Sequence, residues 1–258
     1  MQIEHTEIFG FRAALRGMRN PRDSWDQGDS WFRTPGYKTV IKDNEVESIQ
    51  WLYGQHGPFS KEQHIFVDLP EEVRVIKHIC PQHSTPEEPC IGPNDMRLAK
   101  DLIAQGGDHR KFMRFVIVTC DFVLPRYVWQ EVDTYKVGTV RNSCSTMNTL
   151  GKRPLEQEDF QNPLPEIFLQ ELNRAVQDFR EAEGKKSKRE ARVELKDLLP
   201  EGFLQRATYL MNYEVGYRMF WSRRKHRLPM WREGCEGSIC EWIKSWPYMK
   251  SFLFAGRE

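Results

Sequence analysis

The stretch that decides the fold runs from Leu102 to Met147: LIAQGGDHRKFMRFVIVTCDFVLPRYVWQEVDTYKVGTVRNSCSTM. It opens inside a helix. Asn94 or Asp95 can cap that helix, Met96, Leu98, Ala99, Leu102 and Ile103 recur at helical spacing, and Gly106-Gly107 ends it. Phe112 to Phe122 is apolar on both alternating faces, which predicts a central strand. Pro125 suits the first turn of a following helix that extends to about Lys136. The segment closes on a loop, Tyr135 to Met147, dense in hydroxyl, amide and basic groups. A loop of that composition at the end of a rigid scaffold suits phosphates and a heterocycle.

On the N-terminal side, residues 7–35 read EIFGFRAALRGMRNPRDSWDQGDSWFRTP. Phe9, Ala13, Leu15 and Met18 predict a short strand or helix that Asn20-Pro21 stops, and the Asp-Ser-Trp repeats at 23–25 and 29–31 predict a structured polar loop. Residues 36–93 mix β-like runs (HIFVDL, VRVIKHI) with prolines and read as an irregular hairpin insertion. On the C-terminal side, Phe168, Leu172, Ala175 or Val176, and Phe179 predict a helix, followed by EAEGKKSKREAR as a charged, solvated turn. FLQRATYLMNYEVGYRMFWSRRKHRL then reads as one long helix ended by Pro229. At about 100° per residue, its Asn212, Gly216, Met219, Arg223 and His226 fall on one stripe. An amide, a gap, an apolar surface, a guanidinium and an imidazole along one helix could line a ligand pocket; a solvated polar face is the bland alternative.

Bulk properties narrow the function. At 258 residues with 39% hydrophobic and 29% charged residues, the chain has an ordinary globular composition. The net charge of +1 supplies no global field toward nucleic acid or membrane, so any anion site is local. No run approaches the roughly 18 apolar residues of a membrane span, and MQIEHTEIFGF lacks an apolar signal core; the expected location is the cytoplasm. Six cysteines do not make a disulfide scaffold in a chain this long. His78, Cys80, His83 and Cys90 could surround zinc, but their spacing fits no standard finger, and no metal is expected. Cys144 has no local histidine to activate it and reads as a small hydrophobe. The run SRRKHR, 222–227, fits a small phosphate ligand better than nucleic acid.

Three blocks carry a family resemblance. The first is the glycine-ended helix, turn and strand from Leu102 to Phe122, with Gly106, Gly107, His109 and Phe112. The second is the proline-started helix with Gln130, leading into Tyr135-Lys136-Val137-Gly138-Thr139-Val140-Arg141-Asn142-Ser143-Cys144-Ser145-Thr146-Met147. The third is Asn212 with Arg223 eleven residues on, in MNYEVGYRMFWSRR. Over residues 92–150 and 203–235 the chain resembles the flavin-dependent thymidylate synthases, and its tail RRKHRLPMW…CEWIKSWPY is similar to phage-encoded relatives. The resemblance implies one domain over 1–258 with a mixed α+β fold, an antiparallel-containing sheet packed with long helices. It further implies a homotetramer, FAD as cofactor, and methyl or one-carbon transfer to deoxyuridylate or a related pyrimidine nucleotide, with NADPH and a folate as co-reactants.

By the same resemblance His109, Tyr135, Lys136, Gly138, Thr139 and Asn142 hold the flavin. Gln130, Arg141, Ser143, Ser145, Asn212, Arg223 and His226 hold the nucleotide. The loop departs from the family signature of Arg-His-Arg, Asn-Glu and Ser-x-Arg-Tyr: here stand Tyr135-Lys136, Asn142-Ser143 and Ser145-Thr146-Met147. Lost arginines and a lost glutamate remove bidentate contacts that Lys, Ser or Thr cannot reproduce. The alternative reading is a non-catalytic nucleotide- or nucleic-acid-binding protein that kept the fold.

Overall fold

The computed structural model describes residues 1–42, 45–56, 74–78 and 88–256, with side chains outside 33–88. The elements are β1 (Gln2–Phe9), α1 (Phe11–Arg19), β2 (Trp31–Lys42), β3 (Glu45–His56), β4 (Arg74–His78), β5 (Glu88–Cys90), α2 (Pro93–Ala104), β6 (Ile117–Pro125), α3 (Arg126–Val132), β7 (Val140–Ser143), α4 (Thr146–Thr149), α5 (Glu166–Glu181), α6 (Lys185–Leu198), β8 (Leu204–Asn212), α7 (Tyr213–Arg223), α8 (Ile239–Lys244) and α9 (Met249–Leu253). The fold is mixed α+β, as expected. The chain divides into two compact units, each assembled from three segments: 1–6, 119–211 and 222–241 in one, and 7–118, 212–221 and 242–258 in the other.

The first unit is built on a four-stranded sheet in the order β1-β6-β8-β7, with β7 antiparallel to β8 and Arg141 opposite Tyr209. β6 is an interior strand, as its sequence predicts, but it begins at Ile117; residues 110–115 form a 3-10 helix instead. Its faces are also unequal. Cys120, Phe122 and Leu124 are buried, whereas Thr119, Asp121 and Val123 lie on a half-open face. On the covered face Phe122, Trp129 and Tyr209 form an aromatic triangle with ring centroids 5.8–6.1 Å apart. Burial there pushes the Cys120 thiol and the Tyr209 phenol up from their ordinary pKa values. α5 and α6 pack against each other over a separate core of Leu150, Leu155, Phe160, Leu169, Leu172, Val176, Leu195, Leu199 and Phe203.

Two helical expectations change here. EAEGKKSKREAR is a turn only at Ala182–Gly184, and from Lys185 it is helical. Its lysines, arginines and glutamates are good helix formers, and with one apolar side chain to bury, Leu195, they continue as α6. The long helix from Phe203 is a strand followed by a helix. Ala207, Tyr209 and Met211 are buried while Arg206 and Thr208 are exposed, a period of two that makes β8. Asn212 ends the strand, and its Oδ1 accepts the Val215 N–H at 3.0 Å, capping α7.

The second unit holds α1, α2 and a sheet in which β2 pairs antiparallel with β3, β4 and β5. The hairpin expected within 36–93 is therefore present as β2–β3, from Phe32 opposite His56 to Lys42 opposite Glu45. HIFVDL lies outside the described residues. So do Cys80 and His83 of the weighed zinc set; among the described residues no three potential ligands cluster.

α1 ends at Arg19, where Asn20-Pro21 was expected to stop it, and it starts after Gly10 at φ +98°, where a Cβ would collide with the Phe115 carbonyl. Neither Asn94 nor Asp95 caps α2. Gly92 occupies that position, Pro93 follows it, and the Asp29 carboxylate accepts the N–H groups of Asn94 and Asp95 at 2.8 and 3.0 Å. Asp95 is instead fully buried. Its Oδ1 accepts from Arg19 Nε, and its Oδ2 from the Ser30 hydroxyl and the backbone N–H of Asp29 and Ser30. Arg19 Nη1 donates on to the Ser24 carbonyl at 3.0 Å. The repeated Asp-Ser-Trp segments are thus a polar lock, built from Ser24, Asp29 and Ser30.

Candidate functional site

Tyr135, Arg223 and His226 come together in the first unit, and a carboxylate that the sequence reading passed over lies among them. Arg223 is the last residue of α7 and His226 lies one turn beyond it. α3 ends at Val132, short of the expected Lys136, so Glu131 sits in its last turn and Tyr135 in the loop that follows. Arg223 Nη1 lies 3.0 Å from Glu131 Oε2, and His226 Nε2 lies 3.4 Å from the same oxygen. Arg223 Nε donates to the Tyr135 phenol oxygen at 3.2 Å, and the guanidinium lies 5.3 Å from the Trp231 ring centroid. The Leu228 N–H donates to His226 Nδ1 at 3.2 Å, which places the proton of the neutral imidazole on Nε2, toward Glu131. His226 and Trp231 meet edge to face at 6.4 Å.

The electrostatics of this cluster are unfinished. Glu131 Oε2 is shielded from solvent, yet neither Arg223 nor His226 meets it with hydrogen-bond alignment. The buried indole N–H of Trp231 has no hydrogen-bond partner among the described residues. Such groups carry a desolvation cost that a ligand can relieve. The arrangement can hold an anion: a guanidinium and an imidazole converge where one carboxylate now sits, with two aromatic rings beside them.

Arg141 has a different fate. Its Nη1 donates to Asp133 at 2.6 Å and its Nη2 to Gln205 Oε1 at 2.9 Å, while its guanidinium lies 3.8 Å above Trp129. Gln205 in turn donates to the Cys144 carbonyl at 2.7 Å. These contacts staple the polar loop to β8 through Arg141.

The other expected residues are scattered. Gln130 is exposed and donates to Glu201 at 3.0 Å. Thr139 turns back, donating to the Tyr135 carbonyl at 2.7 Å, around Gly138 at φ +82°. Lys136, Asn142, Ser143 and Ser145 are exposed. Asn142 and Ser143 stand opposite Thr208 and Ala207 along β7. Ser145 offers its carbonyl to Thr149. His109 is exposed before the 3-10 turn of the second unit. The expected helical stripe does not exist. Asn212 is a cap, Met219 is core, and the gap at Gly216 is filled by the Trp246 ring, against which a Cβ would collide.

The sequence reading missed Glu131 and Trp231. Glu131 is the neighbour of the singled-out Gln130, and Trp231 stands in the quoted LPMW; an acid and an aromatic near an expected anion-binding arginine were the available signal.

No family model and no curated protein matches the sequence. Solved structures do. Two crystal structures of the flavin-dependent thymidylate synthase ThyX from Helicobacter pylori, both with FAD and dUMP, align with TM-scores of 0.53 and 0.54 at 12% and 13% identity. The alignments span 98% of this chain and 98% and 97% of those chains. At that identity the likeness shows the fold, which is that of flavin-dependent thymidylate synthases.

Proposed function

We propose that this chain binds a pyrimidine nucleotide through Arg223 and FAD through the loop from Tyr135 to Asn142, as a thymidylate synthase-like one-carbon transferase. The observation that carries the reading is the convergence of Arg223, His226 and Tyr135 beside Trp231 in a chain of this fold. A guanidinium presents a fork that matches phosphate, and a neighbouring imidazole N–H adds a third donor. The half-buried Tyr135 ring offers a face to a base or an isoalloxazine ring, and the buried Trp231 backs the guanidinium. The loop residues fit a flavin phosphate: Lys136 is an exposed cation, and Gly138, also exposed, carries no side chain to block close approach.

Bound flavin supplies the redox chemistry. The chain's own residues bind and orient. Arg223 and His226 hold the nucleotide's anionic group. The Tyr135 phenol fixes the guanidinium plane through Nε. NADPH as reductant and a folate as carbon donor complete the reaction class, and a homotetramer belongs to the same proposal.

The absorbance spectrum of the purified chain, before and after loading with excess FAD and desalting, tests the cofactor. The expected result is a retained flavin band. Calorimetry with deoxyuridine monophosphate tests the substrate, and Arg223→Ala is expected to weaken binding about tenfold or more, by loss of a charge-assisted bidentate contact. Absence of both signals rejects the reading.

One observation favours the alternative of a non-catalytic nucleotide-binding protein. Arg141, a cation of the signature loop, is committed to Asp133, Gln205 and Trp129. Deoxyuridylate binding without turnover, with reduced flavin and a methylene-folate donor supplied, would establish that version.

A further inference from the structure

We infer that Glu131 is a resident counter-anion which occupies the anion site of Arg223 and His226, and which an incoming nucleotide phosphate must displace. The inference rests on the proposed nucleotide site and assigns control of its affinity to a residue outside the resemblance.

Three observations support it. First, Arg223 Nη1 and His226 Nε2 converge on one oxygen, Glu131 Oε2, at 3.0 and 3.4 Å. Two donors from different positions meeting at one acceptor oxygen is the geometry in which they would meet a phosphate oxygen. Second, neither contact is aligned as a hydrogen bond. The carboxylate is held by charge more than by directed bonding, so its release sacrifices little geometry. Third, the Glu131 side chain is 27% exposed at the end of a seven-residue helix, so it can swing into water without unfolding its surroundings.

Other pairs in the same unit show what a fixed carboxylate looks like. Asp159 takes two hydrogen bonds from Arg153, at 2.8 and 2.6 Å. Asp133 receives Arg141 at 2.6 Å while Gln205 and the Trp129 face hold that guanidinium from other sides. Beside the Tyr135 phenol and the Trp231 face, Glu131 is the carboxylate that Arg223 meets among the described residues, and it stands between the guanidinium and an external anion.

Displacement raises the threshold for occupancy. The apparent affinity of every anion is scaled down by the fraction of molecules in which Glu131 is out of the site. A singly charged or weakly hydrogen-bonding anion gains too little to evict it. A phosphate monoester dianion offers more charge and three acceptor oxygens.

The test is calorimetric titration of wild type and Glu131→Gln with inorganic phosphate and with deoxyuridine monophosphate, folding being checked by thermal melting. Glu131→Gln is nearly isosteric and removes only the charge. The expected result is tighter binding of both ligands by Glu131→Gln, by a similar factor of roughly fivefold to tenfold. Glu233→Gln, which removes a carboxylate paired with Arg224 at 2.9 Å, controls for net charge and should leave both affinities unchanged. Equal binding by wild type and Glu131→Gln overturns the counter-anion role while sparing the nucleotide site. Weaker binding by Glu131→Gln also overturns it, making Glu131 a positioning residue for Arg223. A gain that Glu233→Gln reproduces attributes the effect to bulk charge and overturns it too. No binding of either ligand to any variant rejects both the inference and the nucleotide site. If Glu131→Gln does not fold, Glu131→Ala takes its place with the same outcomes.

Discussion

Asp95 in the second unit and Glu131 in the first each face an arginine, and the two pairs are built for different ends. Asp95 is fully buried, its Arg19 partner is 3% exposed, and four donors reach its two oxygens. Glu131 and Arg223 are 27% and 19% exposed, and the shielded oxygen between Arg223 and His226 has no aligned donor. A buried carboxylate with donors on both oxygens is a structural part, because no single donor can leave without stranding charge in a low dielectric. A carboxylate held by charge alone is exchangeable. The number of aligned donors separates the two more sharply than ion-pair distance does.

The largest effect expected from breaking this contrast is at Asp95. Asp95→Ala leaves Arg19 buried and unpaired, and should destabilise the chain by about 3–5 kcal/mol, measured by urea unfolding. An Arg19→Met, Asp95→Leu double variant should recover much of that loss, since replacing both members of a buried pair with apolar side chains removes the stranded charge. A double variant as unstable as Asp95→Ala would show that the Ser24, Asp29 and Ser30 contacts, not the ion pair, hold the lock. Glu131→Gln should shift stability by less than about 1 kcal/mol, the range of a solvent-screened pair; a loss comparable with that of Asp95→Ala would erase the distinction.

The smallest effect belongs to a third carboxylate. Asp121, on the half-open sheet face, accepts from Thr208 at 2.6 Å and contacts His5 at 2.9 Å, and these bonds hold its pKa below the usual carboxylate value. A depressed pKa contributes stability that is fully present above the ordinary carboxylate pKa of about 3.9 and is lost as pH falls through the lower folded value. Thr208→Val should therefore flatten the decline of unfolding midpoint with acid below about pH 4 and leave the midpoint near pH 7 only slightly lower. An unchanged acid limb would dismiss the Thr208 bond as the cause.

Local chemistry wrote much of the fold into the sequence. The Asn20-Pro21 stop, the Gly106-Gly107 terminus and the α5 periodicity act over a few residues and stand where the pattern puts them. β8 was misread because Leu204, Gln205, Ala207, Leu210 and Met211 are helix formers as single residues. Their alternation of buried and exposed positions prevails only because β6 and β7 lie on either side to pair with them. Asp95 was misread for a related reason. An acid at a helix start looks like a cap, and only the arrival of Asp29 from 66 residues away frees it for burial. The site divides along the same line. Arg223, His226 and Tyr135 were legible as residue types near a suspected phosphate, whereas the commitment of Arg141 to Asp133 and of Arg223 to Glu131 depends on where α3 ends, four residues before Lys136.

β8 passes into α7 without an intervening residue: Asn212 is the last residue of the strand and Tyr213 the first of the helix. Substitutions along this segment change one contact at a time, but a change of length has nowhere to be absorbed. One inserted residue would exchange the buried and open faces of the strand or turn the helix by about 100°, carrying Arg223 off its bearing. The spacing from Leu204 to Arg223 is therefore a ruler. Among homologues the open positions of this segment should vary in identity while its length hardly changes, with gaps gathering in the loops on either side.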